Sequence, residues 1–345
     1  MAKWGVTVMG VNKVFNGDVE SAAAMVRGGI KCIAESRVNN LIKIKDLPCE
    51  KCLLRPPALS EVSDVVRYAD ISLVSDIDVI RALSHEAAMQ NKIHKIQFTI
   101  DNGDIREGIW FQETDRIEAV VREILNTPNI ELHSLGTNYN CFGTAMPTID
   151  NGKRLVRIGR ELEKKFNITI PYFSNGNTTS VFLMEKGLWP EGANHLRIGA
   201  IQEFGLDYVD PYYLPGYYHS DMDPSRFVSN LYLLKAEIVE CDVKPSIPEG
   251  ELGLDAFMKP KSFTDKGLRK KAVLALGRQD AAYEEIYPVD GQIEILGQSS
   301  DHTILDLTDC QADYRVGDII SFEITYTALL QIMNGDSVRR FYVRD

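Results

Sequence analysis

The chain has 345 residues, 44% of them hydrophobic and 25% charged, with 49 acidic against 38 basic residues and a formal net charge of −11. These proportions exclude a disordered, collagen-like or disulfide-stapled chain, and the length suits one large domain or two medium ones. The acidic balance excludes sequence-independent binding to nucleic acid or anionic lipid, which needs clustered Lys and Arg, but not a small local anion site.

No apolar run reaches the roughly 18 residues of a membrane span. The N-terminal stretch MAKWGVTVMGVNKVF lacks the organisation of a signal peptide, so a cytoplasmic protein is expected. The six scattered cysteines, at 32, 49, 52, 141, 241 and 310, fit buried or free thiols. Cys49 and Cys52 make one CxxC with no second pair, which reads as two cysteines flanking a strand start rather than as a zinc site.

Up to about residue 205, short β-branched runs alternate with amphipathic stretches. Strands are expected at 6–11, 32–34, 52–54, 71–74, 93–100, 130–135, 170–173 and 195–198. Helices are expected at 18–26, 38–44, 60–68, 76–90, 114–125, 154–166, 178–186 and 200–204; Asp18 caps the first, and Gly28-Gly29 closes it. Eight strand-then-helix units is the count of a (β/α)8 barrel, and a doubly wound open sheet usually carries fewer. Residues 207–223 are rich in Tyr, Pro and Asp and have no period. Strands then dominate, at 231–239, 272–276, 293–296, 302–307 and 319–325. The expected organisation is therefore α/β: a barrel over 1–225 and a C-terminal antiparallel β-domain over 226–345.

In such barrels catalytic groups follow the C-terminal ends of the strands. Those positions hold Lys13, Glu35-Ser36-Arg37, Arg55, the run Asp101 to Glu107, Thr137-Asn138, the run Ser174 to Thr179, and Arg197-Ile198-Gly199. Lys13 follows an apolar strand. Desolvation there would lower an ammonium pKa and suit a Schiff-base nucleophile or a proton-transfer base; the other reading is a solvated lysine at a loop start. The Gly- and hydroxyl-rich turn 174–179 and the turn 197–200 sit on adjacent units, the usual phosphate position, though each is also an ordinary helix cap.

Taken in order, Val11-Asn12-Lys13-Val14-Phe15, Gly17-Asp18, Ala34-Glu35-Ser36-Arg37, Asp101 to Gly108, Gly136-Thr137-Asn138, Gly176 to Ser180, Leu196 to Gly199, Gly277 to Asp280 and Leu296 to His302 resemble the pyridoxal-phosphate-dependent amino-acid racemases of the alanine racemase fold, most closely their ornithine racemase branch. The resemblance covers nearly the whole chain. It implies pyridoxal 5'-phosphate held by Lys13 as a Schiff base, and a free amino acid as substrate. It also implies a homodimer in which the β-domain of one subunit completes the site of the other. Asn177, Thr178, Gly199 and Ala200 would hold the phosphate and Arg197 would face the pyridine nitrogen. Asn138 falls where alanine racemases carry a ring-packing His, and Arg106 where they carry an Arg near the cofactor.

An Arg cannot accept the pyridinium proton, which favours racemisation over decarboxylation. Lys13 would remove or return the α-proton on one face. The family's second base is a Tyr, and Arg278 stands in its place. The candidates for that role are His302, suited to proton shuttling near neutrality, and Asp301, supplied in trans; both also fit a turn at a strand start. Ornithine or another basic amino acid is the first expectation, with alanine an alternative, and Asp207, Asp210 and Asp221 are available to a basic side chain. A non-catalytic pyridoxal-phosphate carrier, or another reaction such as a lyase or decarboxylase, is the rival reading. Carriers of this superfamily lack the β-domain.

Overall fold

The structure is a computed structural model that describes residues 4–200 and 231–343. The chain divides into two compact units, Met1–Ser229 and Asn230–Asp345.

In the first unit the strands are β1 (Thr7–Val11), β2 (Cys32–Glu35), β3 (Glu50–Leu53), β4 (Ile71–Val74), β5 (His94–Asp101), the two-residue β6 (Ile109–Trp110), β7 (Ile130–Thr137), β8 (Tyr172–Asn175) and β9 (His195–Ile198). Their order is β4-β3-β2-β1-β9-β8-β7-β5-β6, and β4 also pairs with β5, so eight parallel strands close into a barrel with β6 appended to β5. The helices α1 (Val19–Arg27), α2 (Val38–Lys43), α3 (Val62–Tyr68), α4 (Ile77–Met89), α5 (Thr114–Asn126), α6 (Ile149–Phe166) and α7 (Val181–Glu185) alternate with them. This is the barrel that the alternation predicts. The expected helix 200–204 lies outside the described residues beyond Ala200.

Strand side chains alternate between two faces, and both are buried here. Ile33, Leu53, Val74, Ile96, Phe98 and Ile100 join Leu41, Val65, Leu83 and Val121 of the surrounding helices in the main core. Met9, Val11, Cys32, Ala34, Cys52, Ile71 and Leu73 form a separate cluster. Cys52 therefore belongs to the core, and burial pushes its thiol up to about 12. Among the described residues, no group of three or more His, Cys, Asp or Glu could hold a metal ion, and no helix is long and apolar enough to cross a membrane.

One helix starts earlier than its periodicity suggests. Thr148 and Asn151 form a capping box that begins α6 at Ile149 rather than at 154, because reciprocal side-chain bonds satisfy the first backbone N–H groups.

The second unit is a six-stranded antiparallel sheet of β10 (Leu234–Pro245), β11 (Leu268–Leu274), β12 (Ile286–Pro288), β13 (Glu294–Gln298), β14 (Thr303–Asp306) and β15 (Ile319–Ile324), in the order β12-β15-β10-β11-β14-β13. The long β10 pairs with β15 through Leu234 to Glu237 and with β11 from Ile238 onward, with a bulge between Ile238 and Glu240. That bulge bends the sheet over a core containing Ile238, Leu274, Leu305 and Phe322. The sequence reading has neither β12 nor the helix α8 (Tyr326–Asn334). Thr325, placed at the end of the last expected strand, is the N-cap of α8.

Candidate active site at the strand ends of the barrel

β1 ends at Val11, two residues before Lys13, which opens a single 3-10 turn, Lys13–Phe15. Asn12 and Val14 are both 0% exposed, whereas the Lys13 side chain between them is exposed. Of the two readings of Lys13, a solvated lysine at a loop start is the one this exposure fits. The turn is anchored by its neighbours Val14 and Phe15, which leaves the lysine projecting outward.

β9 lies beside β1, with Met9 in register with Arg197. Arg197 therefore shares a strand face with the Met9 cluster and is 4% exposed. Its Nη2 donates to the Thr137 carbonyl at 2.7 Å and to Asn138 Oδ1 at 3.4 Å, while its Nε is buried without a partner. Burial lowers its pKa, and Glu107 opposes that effect. A guanidinium remains protonated in such a site, so a buried positive charge with one unused donor stands at the end of β9.

Arg106, in the loop between β5 and β6, is exposed and forms an ion pair with Glu107. The hydrogen bonds that Arg106 donates to Glu107 raise the Arg106 pKa. Burial works against the Glu107 carboxylate, but Arg106 and the charge of Arg197 outweigh it, and its pKa is lowered. Glu107 thus links the two arginines electrostatically, a role that the sequence reading does not give it. Asp104 fixes the same loop to the one after β7, because its carboxylate accepts from the Cys141 N–H at 3.2 Å and the Phe142 N–H at 3.1 Å.

Asn138, at the end of β7, accepts from Asn177 Nδ2 at 3.2 Å, and its own buried Nδ2 has no partner. Asn177 also donates to the Tyr139 carbonyl at 2.7 Å and accepts from the Thr179 N–H at 2.9 Å. Its side chain therefore caps the turn Thr178–Ser180 and ties it to the β7 loop. Thr178 Oγ1 accepts from the Gly199 N–H at 3.2 Å, so the turns after β8 and β9 are joined. Ser180 Oγ is buried and unpartnered, and its place in the hydroxyl run 178–180 was the available signal for it. Ala200 follows Gly199 as the last described residue of this unit.

The remaining candidates sit in the second unit. Asp301 and His302 are exposed in the turn between β13 and β14. The Asp301 carboxylate accepts from Gln279 Nε2 at 2.6 Å and from Ser300 Oγ at 2.7 Å; the His302 ring has no hydrogen-bond partner among the described residues. Arg278 donates to both Glu284 oxygens at 3.1 Å, and its N–H reaches the Ser299 carbonyl at 3.0 Å. Arg278, Asp301 and His302 are thus carried by two loops that touch. Asp207, Asp210 and Asp221 lie outside the described residues.

The barrel ends supply an exposed amine, two cations, a hydroxyl-rich turn, and buried polar atoms without partners among the described residues, including Arg197 Nε, Asn138 Nδ2, Asn175 Nδ2, Ser180 Oγ and Asn12 Oδ1. Leaving such atoms unpaired costs about 1–3 kcal/mol each, so a polar ligand is the economical explanation. The donors suit an anionic, planar group that reacts with an amine, and pyridoxal phosphate fits that description.

Comparison with known proteins agrees. Residues 2–203 match the family described as Alanine racemase, N-terminal domain. The chain is 41% identical over 307 residues to the ornithine racemase of Acetoanaerobium sticklandii, covering 89% of this chain and 84% of that protein. It is 36% identical over 340 residues to the lysine racemase of Thermotoga maritima, covering 98% and 91%. Among solved structures, the alanine racemase of Clostridium difficile 630 aligns with a TM-score of 0.72 at 16% identity, over 95% of this chain and 87% of that one. The Bartonella henselae alanine racemase, with covalently bound pyridoxal phosphate, aligns with a TM-score of 0.69 at 16% identity, over 98% and 93%. A closed barrel, a separate antiparallel β-domain and these relatives together lead to one conclusion: this chain belongs to the alanine racemase family.

Proposed function

We propose that this protein racemises a basic amino acid, ornithine or lysine, using pyridoxal phosphate. The named activities of its two curated relatives support that substrate class. The observation that carries the reading is the buried Arg197, with its unpaired Nε, on the strand next to the one that leads into Lys13.

Pyridoxal phosphate, when bound, supplies a carbonyl that exchanges amines and a conjugated ring that spreads the charge left at Cα when its proton departs. Lys13 is the amine to hold it, and its Nζ is the group to take or return the α-proton on one face. Arg197 would face the ring nitrogen, where it can donate but not accept. It therefore limits how long charge persists at Cα, which favours simple proton return over decarboxylation. Arg106, held by Glu107, would orient groups near the cofactor. Thr178, with Asn177, Gly199 and Ala200, would hold the phosphate.

On the opposite face His302 is the stronger candidate for the proton carrier, because the Asp301 carboxylate already accepts two hydrogen bonds. The proposal includes a homodimer that brings this loop to the site in trans. The free cysteines support a cytoplasmic setting.

The test is direct. The purified protein should show an absorbance band for the lysine-bound cofactor, and deuterium should enter Cα of ornithine or lysine in deuterium oxide. A band that survives Lys13→Ala, or the absence of exchange on every amino acid tried, rejects the proposal; the latter favours a carrier.

A further inference from the structure

Glu35 ends β2, is 0% exposed, and has no part in the chemistry described above. Its Oε1 accepts from Asn12 Nδ2 at 2.8 Å and its Oε2 from Asn40 Nδ2 at 3.1 Å. The Gly17 backbone N–H also favours the ionised form. Asn12 and Gly17 bracket the turn that carries Lys13, and Asn40 lies on α2. One buried carboxyl thus joins Asn12, at the start of the lysine-bearing turn, to Asn40 of the neighbouring unit, against which Gly17 at the other end of the turn is packed.

Two further features show how closely that turn is seated. Gly17 has φ +73°, and a Cβ there would come within 2.8 Å of the Asn40 Cα and carbonyl oxygen. Lys43, from α2, donates to the Asn16 carbonyl at 2.6 Å. Every residue from Asn12 to Gly17 except Lys13 is buried or half-buried.

We propose that Glu35 is a positioning residue for Lys13, its carboxylate holding in place the turn from which the lysine projects. This rests on the proposed function of Lys13. The carboxylate accepts from both amides as they stand, whereas a protonated carboxyl presents its own O–H to one of them, so that this bond is given up or Asn12 turns its unpartnered Oδ1 inward. Burial raises the Glu35 pKa to about 7 against the lowering effect of Asn40, Asn12 and Gly17. Asn12, Gly17 and Asn40, which face it from β1, the turn and α2, do not titrate. Lys43 is the charged group acting on it, and it favours the ionised form. Seating of the turn therefore changes through neutrality.

The experiment is borohydride trapping of added pyridoxal phosphate on Lys13, quantified by peptide mass spectrometry between pH 5 and 9. The general rise of amine reactivity, read from the other lysines, is divided out. Wild type should show an inflection near 7. Glu35→Gln should lose it and trap less at alkaline pH, because its amide presents donors to donors. Lys43→Met should move the inflection upward; it also removes the bond to the Asn16 carbonyl, so the position of the inflection and not the amount trapped is read, and it serves if Glu35→Gln does not fold. An unchanged profile in the folded Glu35→Gln variant, or in Lys43→Met, overturns the proposal. If wild type traps no cofactor at Lys13, the racemase reading fails instead. Acetylation of Lys13 by acetic anhydride then decides the Glu35 proposal, which predicts the same inflection and its loss in Glu35→Gln.

Discussion

Arg197 and Asn138 meet through one hydrogen bond, Nη2 to Oδ1 at 3.4 Å, and each leaves a buried donor, Arg197 Nε and Asn138 Nδ2, without a partner. Two neighbouring groups with unused donors define a place where acceptors are required. Arg197→Lys should therefore not be conservative, since a point charge on a flexible stem cannot bond Thr137 and present Nε together. The expected loss in kcat is about 10²-fold, the scale for removing one preorganised donor. Steady-state racemisation in both directions measures it, and retention of wild-type kcat would remove Arg197 from the site.

His302 and Asp301 are neighbours with different expected effects. His302→Ala should slow one direction of α-proton exchange more than the other in single-turnover measurements, because a proton carrier on one face serves one enantiomer. Asp301→Asn weakens the acceptor for Gln279 and Ser300, so it should loosen the turn and lower both directions together. Equal effects of His302→Ala on the two enantiomers would exclude it as a face-specific base.

Burial holds His94 at about 4 and His195 at about 3, each against a Ser hydroxyl, Ser72 and Ser174 respectively. Both rings are neutral in the fold, and the unfolded chain takes up protons below about 6.5. Stability should thus fall as pH drops from 6.5 toward these values, by roughly 2–4 kcal/mol for each ring at full protonation of the unfolded chain. Glu35 acts in the opposite sense, because its raised value makes the fold lose stability as pH rises from about 4.5 to about 7. Two histidines outweigh one carboxyl, so the urea midpoint of unfolding should decrease between pH 6.5 and pH 4.5. A flat midpoint over that range would count against the buried neutral rings.

Gly108 has φ +109°, and a Cβ would lie 2.6 Å from the Asp101 N and 2.8 Å from the Ile100 carbonyl carbon. Both neighbours are backbone and cannot swing aside. Gly108→Ala should cost about 2–4 kcal/mol, combining strain at positive φ with displacement of β6 from β5. Arg106, two residues away, should lose its placement as well, so KM should rise together with the fall in melting temperature. A variant with wild-type stability would show that the loop accommodates a side chain.

The sequence by itself determined the alternation that makes a barrel. Strand runs and amphipathic stretches are local patterns, and Asp18 and Asp76 mark helix starts through bonds reaching only two or three residues. The polar strand ends were legible for the same reason: they are where an apolar run stops. The start of α6 and all of α8 were harder, since Thr148 and Thr325 read as loop or strand residues until their side chains are seen to cap.

What only the tertiary structure decided depends on partners distant in sequence. That Lys13 is exposed while Asn12 and Val14 are buried follows from how the turn packs on α2, not from the apolar strand before it. Arg197 meets the Thr137 carbonyl 60 positions away, and Glu35 meets Asn12 across 23. Asp104 reaches the Cys141 N–H across 37. Local pattern records whether a residue tends to be buried. It does not record which donor will face a buried carboxylate or which guanidinium nitrogen will be left over, because barrel closure brings those groups together.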